Sequence, residues 1–135
     1  MGSFFLYHHY ISFSVFLPAI SVGLLSTAVL NLNNMRDRLS DAKSGKNTLV
    51  VKMGGEKAKK YHSALILIAF FTAVEFIFYT EKYILAISLI AFIPLFVHLQ
   101  IVARNKVPQQ LDPELKKVAL STFLFSILFL VGAVI

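Results

Sequence analysis

Four runs of 18 to 22 residues almost free of charge dominate this chain, at 12–33, 62–80, 83–103 and 118–135. Their only ionised side chain is Glu75. At about 1.5 Å rise per residue, each run as a helix reaches across a hydrocarbon layer of about 30 Å. Lipid offers no partner to an unpaired backbone N–H or C=O, so such runs fold as helices rather than open strands. The balance of the 135 residues agrees: 57% are hydrophobic and 15% charged, where soluble domains carry about 25% charged residues. A soluble fold of this length has no interior large enough for so much apolar surface. The expected class is all-α: an integral membrane helical bundle of four transmembrane helices, forming one domain or part of one. Pro18 and Pro94 fall inside two of the runs, where membrane helices accept them as kinks.

The basic residues set the expected direction. Of thirteen Lys and Arg, eight lie in 34–61, four in 104–117, and one, Lys82, in the short turn between the second and third runs. The positive-inside rule places the loops 34–61 and 104–117 in the cytoplasm and the turn outside, with both termini outward. This confinement to two short blocks fits membrane topology, and no nucleic-acid partner is expected despite the net charge of +6. Without cysteine there is neither a disulfide framework nor a thiolate metal site. The opening "MGSFFLYHHYISF" lacks the basic start of a secretory signal, and Leu6 stands where a myristoylation signal needs Ser or Thr. No Lys, Arg, Asp or Glu precedes Arg36, which reads as a cut into a longer chain.

Between the first and second runs lies a polar island, "NLNNMRDRLSDAKSGKNTLVVKMG", residues 31–54. If the first helix continues past the membrane surface, Asn33, Asp37 and Asp41 recur at i, i+4 and share one face. Two neighbouring carboxylates repel unless a cation lies between them, and Mg²⁺ suits such a pair when phosphate oxygens complete its shell. Arg36, Lys43 and Lys46 supply charge for an anionic partner, and Ser44-Gly45 a backbone that permits close approach. A ligand with a diphosphate head and a long apolar tail would match this boundary position. The alternative is a solvated helix end whose lysines serve only the topology. Glu75, about a turn and a half from the outer end, is expected to lean to the interface. His98 is expected to pack or to hydrogen-bond between helices. In "LDPELKK", Asp112 reads as an N-cap and Pro113 as the first helical residue, with no chemistry attached.

The island resembles the second aspartate-rich motif of the UbiA superfamily of membrane prenyltransferases. The likeness is greatest to members that prenylate 1,4-dihydroxy-2-naphthoate in menaquinone biosynthesis. The matching positions are Asn33, Asn34, Arg36, Asp37 and Asp41, then Gly45, Lys46, Thr48, Leu49, Val51, Lys52 and Gly54. "GLLSTAVLN" before them and "KAKKYH" after them are similar too, and the likeness runs along the chain. This resemblance implies a nine-helix enzyme of the bacterial cytoplasmic (inner) membrane, of which the four runs are helices six to nine. It implies Mg²⁺ held by Asp37 and Asp41, a polyprenyl diphosphate bound by Asn33, Arg36, Lys43 and Lys46, and 1,4-dihydroxy-2-naphthoate as acceptor. The family's first aspartate-rich motif has no counterpart before Asp37, so the resemblance implies a C-terminal half that is inactive alone. Acceptors such as 4-hydroxybenzoate, or a non-catalytic isoprenoid-binding half-protein, remain open as alternatives.

Overall fold

The computed structural model describes residues 12–135, with the side chains of 13 and 14 excepted, and residues 2, 5, 6, 9 and 10 before them. The opening segment read for targeting signals therefore lies in large part outside the described residues. Helix α1, Phe13–Lys43, runs for 31 residues with Pro18 near its start. At about 1.5 Å per residue it exceeds the apolar layer by about ten residues, so the end bearing the polar island projects as helix. A turn follows in which Gly45 takes φ 76°, and Thr48 caps the short helix α2, Leu49–Met53, accepting the Val51 N–H at 3.2 Å. Gly54, at φ 80°, ends α2 and starts α3, Gly55–Thr80. That left-handed backbone suits a residue without a Cβ.

Glu81 and Lys82 turn the chain into the third span, which differs from the regular helix expected for 83–103. Its first part, Tyr83–Ala91, is a 3-10 helix, and only α4, Phe92–Arg104, is α-helical. Pro94 lies at the junction: it has no N–H for the Ile90 carbonyl, and its ring crowds that carbonyl, so the regular ladder cannot continue through it. With about 2.0 Å rise per 3-10 residue and about 1.5 Å per α residue, the combined segment still spans the apolar layer. A 3-10 turn, Pro108–Leu111, leads into α5, Asp112–Val134. No strand occurs among the described residues, and four helical segments are long and apolar enough to cross a membrane.

Helices α1 and α3 pack along one another, joined by Ser21 and Thr72 hydroxyls 2.7 Å apart and by Asn31 Nδ2 donating to the Ala58 carbonyl at 3.3 Å. Between them and α4–α5 lies a core of Leu25, Leu32, Ile66, Phe92, Leu95 and Phe125, all fully buried. Phe70, Phe92 and Phe125 meet edge-on with centroids 5.3 and 5.4 Å apart. At the far end α5 approaches the 3-10 segment closely at Gly132, where a Cβ would lie 3.3 Å from the Leu85 Cα. The outer surface is apolar, with Phe71, Ile93, Leu120 and Phe123 each more than 60% exposed. Such a surface is stable against lipid or against further helices, not against water. The chain is an integral membrane helical bundle.

Candidate functional site at the polar end of the bundle

Because α1 stays helical to Lys43, the three stripe residues share a face as the spacing requires. Asn33 Nδ2 donates to Asp37 Oδ2 at 3.5 Å. Arg36 lies beside them and grips Asp37 through both carboxylate oxygens, Nε to Oδ1 at 2.8 Å and Nη2 to Oδ2 at 3.0 Å. The same Nη2 donates to Asn33 Oδ1 at 3.0 Å, while Nη1 reaches Asp112 Oδ1 at 2.8 Å. One guanidinium thus joins α1 to the start of α5.

Asp41 sits one turn further on, with a side chain only 10% exposed. Lys46 folds back onto it twice, its backbone N–H donating to the Asp41 carbonyl at 2.9 Å and its Nζ to Oδ1 at 3.3 Å. The other oxygen, Oδ2, is buried without a hydrogen-bond partner. A buried carboxylate oxygen left bare costs about 1–3 kcal/mol or more, so an observed one calls for a missing partner. Lys43, two residues past Asp41 and so about 200° round the helix, is exposed and makes no ion pair among the described residues. The structure therefore gathers Asn33, Arg36, Asp37, Asp41 and Lys46 and leaves Lys43 apart. No group of three or more His, Asp and Glu suited to a metal occurs among the described residues. The chain's own contribution to a metal shell is then the two aspartates.

Asp112 corrects a sequence expectation. It is not the N-cap of α5 but its first residue, after Leu111, with Pro113 following. The preceding 3-10 turn takes over the start of the helix, and the Asp112 carboxylate turns to Arg36 instead.

A second polar cluster lies among α3, α4 and α5. His62 and His98 are fully buried with their Nε2 atoms 2.8 Å apart, and His98 Nδ1 bonds Glu114 Oε2. Lys117 Nζ donates to Glu114 Oε1 at 2.6 Å. The carboxylate accepts, so His98 Nδ1 carries a hydrogen, and with that ring neutral its Nε2 accepts from His62. His62 Nδ1 is then a buried acceptor with no partner. His98 thus hydrogen-bonds between helices, as the sequence led one to expect. Its partners His62 and Glu114 were not anticipated; the signal was two histidines in adjacent spans and an acid beside the start of the last. Glu75 is exposed on the bundle's outer surface without a partner among the described residues.

Fold and polar end together define an integral membrane protein whose spanning helices deliver paired acids and bases to one boundary. The chain belongs to the UbiA prenyltransferase family, whose pattern matches residues 1–126. It is 38% identical over 99% of its length to a 1,4-dihydroxy-2-naphthoate octaprenyltransferase of Haemophilus influenzae, of which it covers 44%. It is 35% identical over 98% of its length to the Escherichia coli protein of the same name, of which it covers 43%. A UbiA prenyltransferase domain-containing protein 1 of Dictyostelium discoideum is 29% identical over 94% of this chain. The chain thus spans less than half the length of the curated relatives it matches. No solved structure matches it.

Proposed function

We propose that this chain forms the second aspartate-rich half of a polyprenyltransferase active site. In the assembled enzyme a polyprenyl group would pass from its diphosphate to 1,4-dihydroxy-2-naphthoate in menaquinone biosynthesis. The observation that carries this reading is the buried, unpartnered Oδ2 of Asp41, one helical turn from Asp37 where an apolar bundle meets water. The names of the two bacterial relatives supply the acceptor and the class of donor.

The residues fit a magnesium ion. Asp41 offers a bare oxygen already desolvated, and Asp37 offers a carboxylate held by a guanidinium that has Asp112 as a second partner. With only two acids from this chain, phosphate oxygens and water would complete the shell, the environment Mg²⁺ prefers. Bound there, the ion would supply charge to stabilise the departing diphosphate.

The remaining work falls to the chain's own side chains. Lys46 and Arg36 would neutralise phosphate oxygens as the prenyl C–O bond breaks, and Asn33 would orient them by hydrogen bonds. Lys43 would meet a headgroup only from further out. Attack of the ring carbon on the allylic centre forms the new C–C bond, and the ring carboxylate is lost over the whole reaction. Apolar walls would keep water from the allylic cation.

To test this, the chain is joined to the part of the Haemophilus influenzae relative that it does not cover. Membranes carrying the fusion are supplied with octaprenyl diphosphate, 1,4-dihydroxy-2-naphthoate and Mg²⁺. Prenylated product is expected, with turnover lowered by at least about 10²-fold in Asp37→Ala and in Asp41→Ala. Near-normal turnover in either variant, or a folded fusion that makes no product, would sink the assignment.

A further inference from the structure

A cavity of about 190 Å³ opens round α1 from the aspartate stripe, and none of the residues proposed for the diphosphate lines it. Its wall carries three cations, Arg38 from α1, Lys59 from α3 and Lys106 from the segment after α4, against a single acid, Glu56. Glu56 is already taken, pairing with Lys59 at 2.8 Å. Arg38 is half-buried and Lys106 exposed, and neither has an ion-pair or hydrogen-bond partner among the described residues. Like charges turned toward one space repel each other, and an anion between them reverses the sign of that interaction.

Two further features shape the site. The guanidinium of Arg38 lies 3.6 Å from where a Cβ of Gly55 would stand, so the bare glycine lets it lie against the first turn of α3. That turn begins without a side-chain cap, which leaves its N–H donors and the positive end of a 26-residue helix beside the same cavity. Met35 and Leu111 give the cavity an apolar side. The whole lies at the end of the bundle where the helices leave the apolar layer.

We propose that this cavity is a phosphate-binding site, separate from the proposed active site, and that its occupant is the headgroup phosphate of an anionic phospholipid. Basic pockets between spanning helices at the boundary take such headgroups. The planar fork of Arg38 matches phosphate oxygens, Lys106 adds a second unpaired charge, and the apolar side suits the start of an acyl chain.

The test is native mass spectrometry of the chain in a neutral detergent, titrated in turn with phosphatidylglycerol, phosphatidylcholine and inorganic phosphate. A phosphatidylglycerol adduct is expected to exceed the phosphatidylcholine adduct at equal concentration. Arg38→Gln and Lys106→Gln should each lower its occupancy about fivefold, whereas Lys82→Gln, at the opposite end of the bundle, should not change it. Lys106 is exposed, so its replacement tests the site even if Arg38→Gln fails to fold. Displacement of the lipid by inorganic phosphate, with binding of the anion itself dependent on Arg38 and Lys106, upholds the phosphate site and identifies free phosphate as its occupant. Equal binding of the two lipids, or equal losses in Lys82→Gln and Lys106→Gln, overturns the proposal.

Discussion

At the scale of single residues the polar end is organised by Arg36. Its fork holds Asp37, its outer nitrogen holds Asp112, and Asn33 bridges the first pair. Such an arrangement lets a cation compete for Asp37 without stranding the guanidinium, because Asp112 stays in place to receive it. Exposed ion pairs are worth about 0.2–1 kcal/mol, so the contribution of Asp112 is modest but has a definite sign. In Asp112→Asn, Arg36 should settle more firmly on Asp37, and the affinity for a divalent ion should fall by no more than about fivefold. Mn²⁺ binding to the proposed site, followed by electron paramagnetic resonance in the assembled protein, measures this without reference to turnover. Unchanged or tighter binding would show that Asp112 plays no part in freeing Asp37. The spacing of Asn33, Asp37 and Asp41 was legible from the sequence because i, i+4 on a helix is a geometric certainty once the helix continues. Asp112 was not, since it lies 76 positions from Arg36 and only the fold brings the two together.

Between elements, the decisive contacts are polar ones inside an apolar bundle. Lipid-facing and helix-facing surfaces are equally oily, so packing and interhelical hydrogen bonds decide which helices stay together. The chain of Lys117, Glu114, His98 and His62 ties α5 to α4 and α4 to α3. Glu114→Ala leaves the buried His98 Nδ1–H unpaired and should cost about 1–3 kcal/mol, read as a lower unfolding temperature in detergent. In a cycle with His98→Phe the two losses should be less than additive by about 0.5–2 kcal/mol, and strict additivity would mean that the pair does not interact in solution. Element boundaries were the least legible part of the fold. The apolar runs mark lipid, whereas the helices continue beyond it: α1 by ten residues to Lys43, and α3 from Gly55 rather than His62. Hydropathy reports where water stops, not where backbone hydrogen bonding stops. The 3-10 segment Tyr83–Ala91 was likewise hidden, since Pro94 warns of a disturbance without stating on which side it falls. The partners of His98 required knowing how far α4 and α5 are offset, which no local pattern records.

For the molecule as a whole, the structure brings the two basic blocks to one end and leaves the Glu81–Lys82 turn at the other. Arg36 meets Asp112 across that end, and a single cavity is lined by Arg38, Gly55 and Lys106. The number of crossings therefore makes a firm demand on accessibility: residues 57 and 109 must share a side of the membrane, and residue 82 must lie opposite. Which side is which rests on charge, because translocating a short loop rich in Lys and Arg is disfavoured. With twelve Lys and Arg at one end against Lys82 at the other, we propose that the polar end faces the cytoplasm. Because the chain has no cysteine, single replacements report position without background. Lys57→Cys, Gln109→Cys and Lys82→Cys all replace exposed side chains. A membrane-impermeant maleimide added to intact spheroplasts is expected to label Lys82→Cys alone, and the other two only after permeabilisation. Labelling of Lys57→Cys and Gln109→Cys from opposite sides would overturn the four-crossing arrangement itself. Labelling of both from outside would keep the bundle but reverse it, moving the proposed diphosphate site away from the cytoplasm.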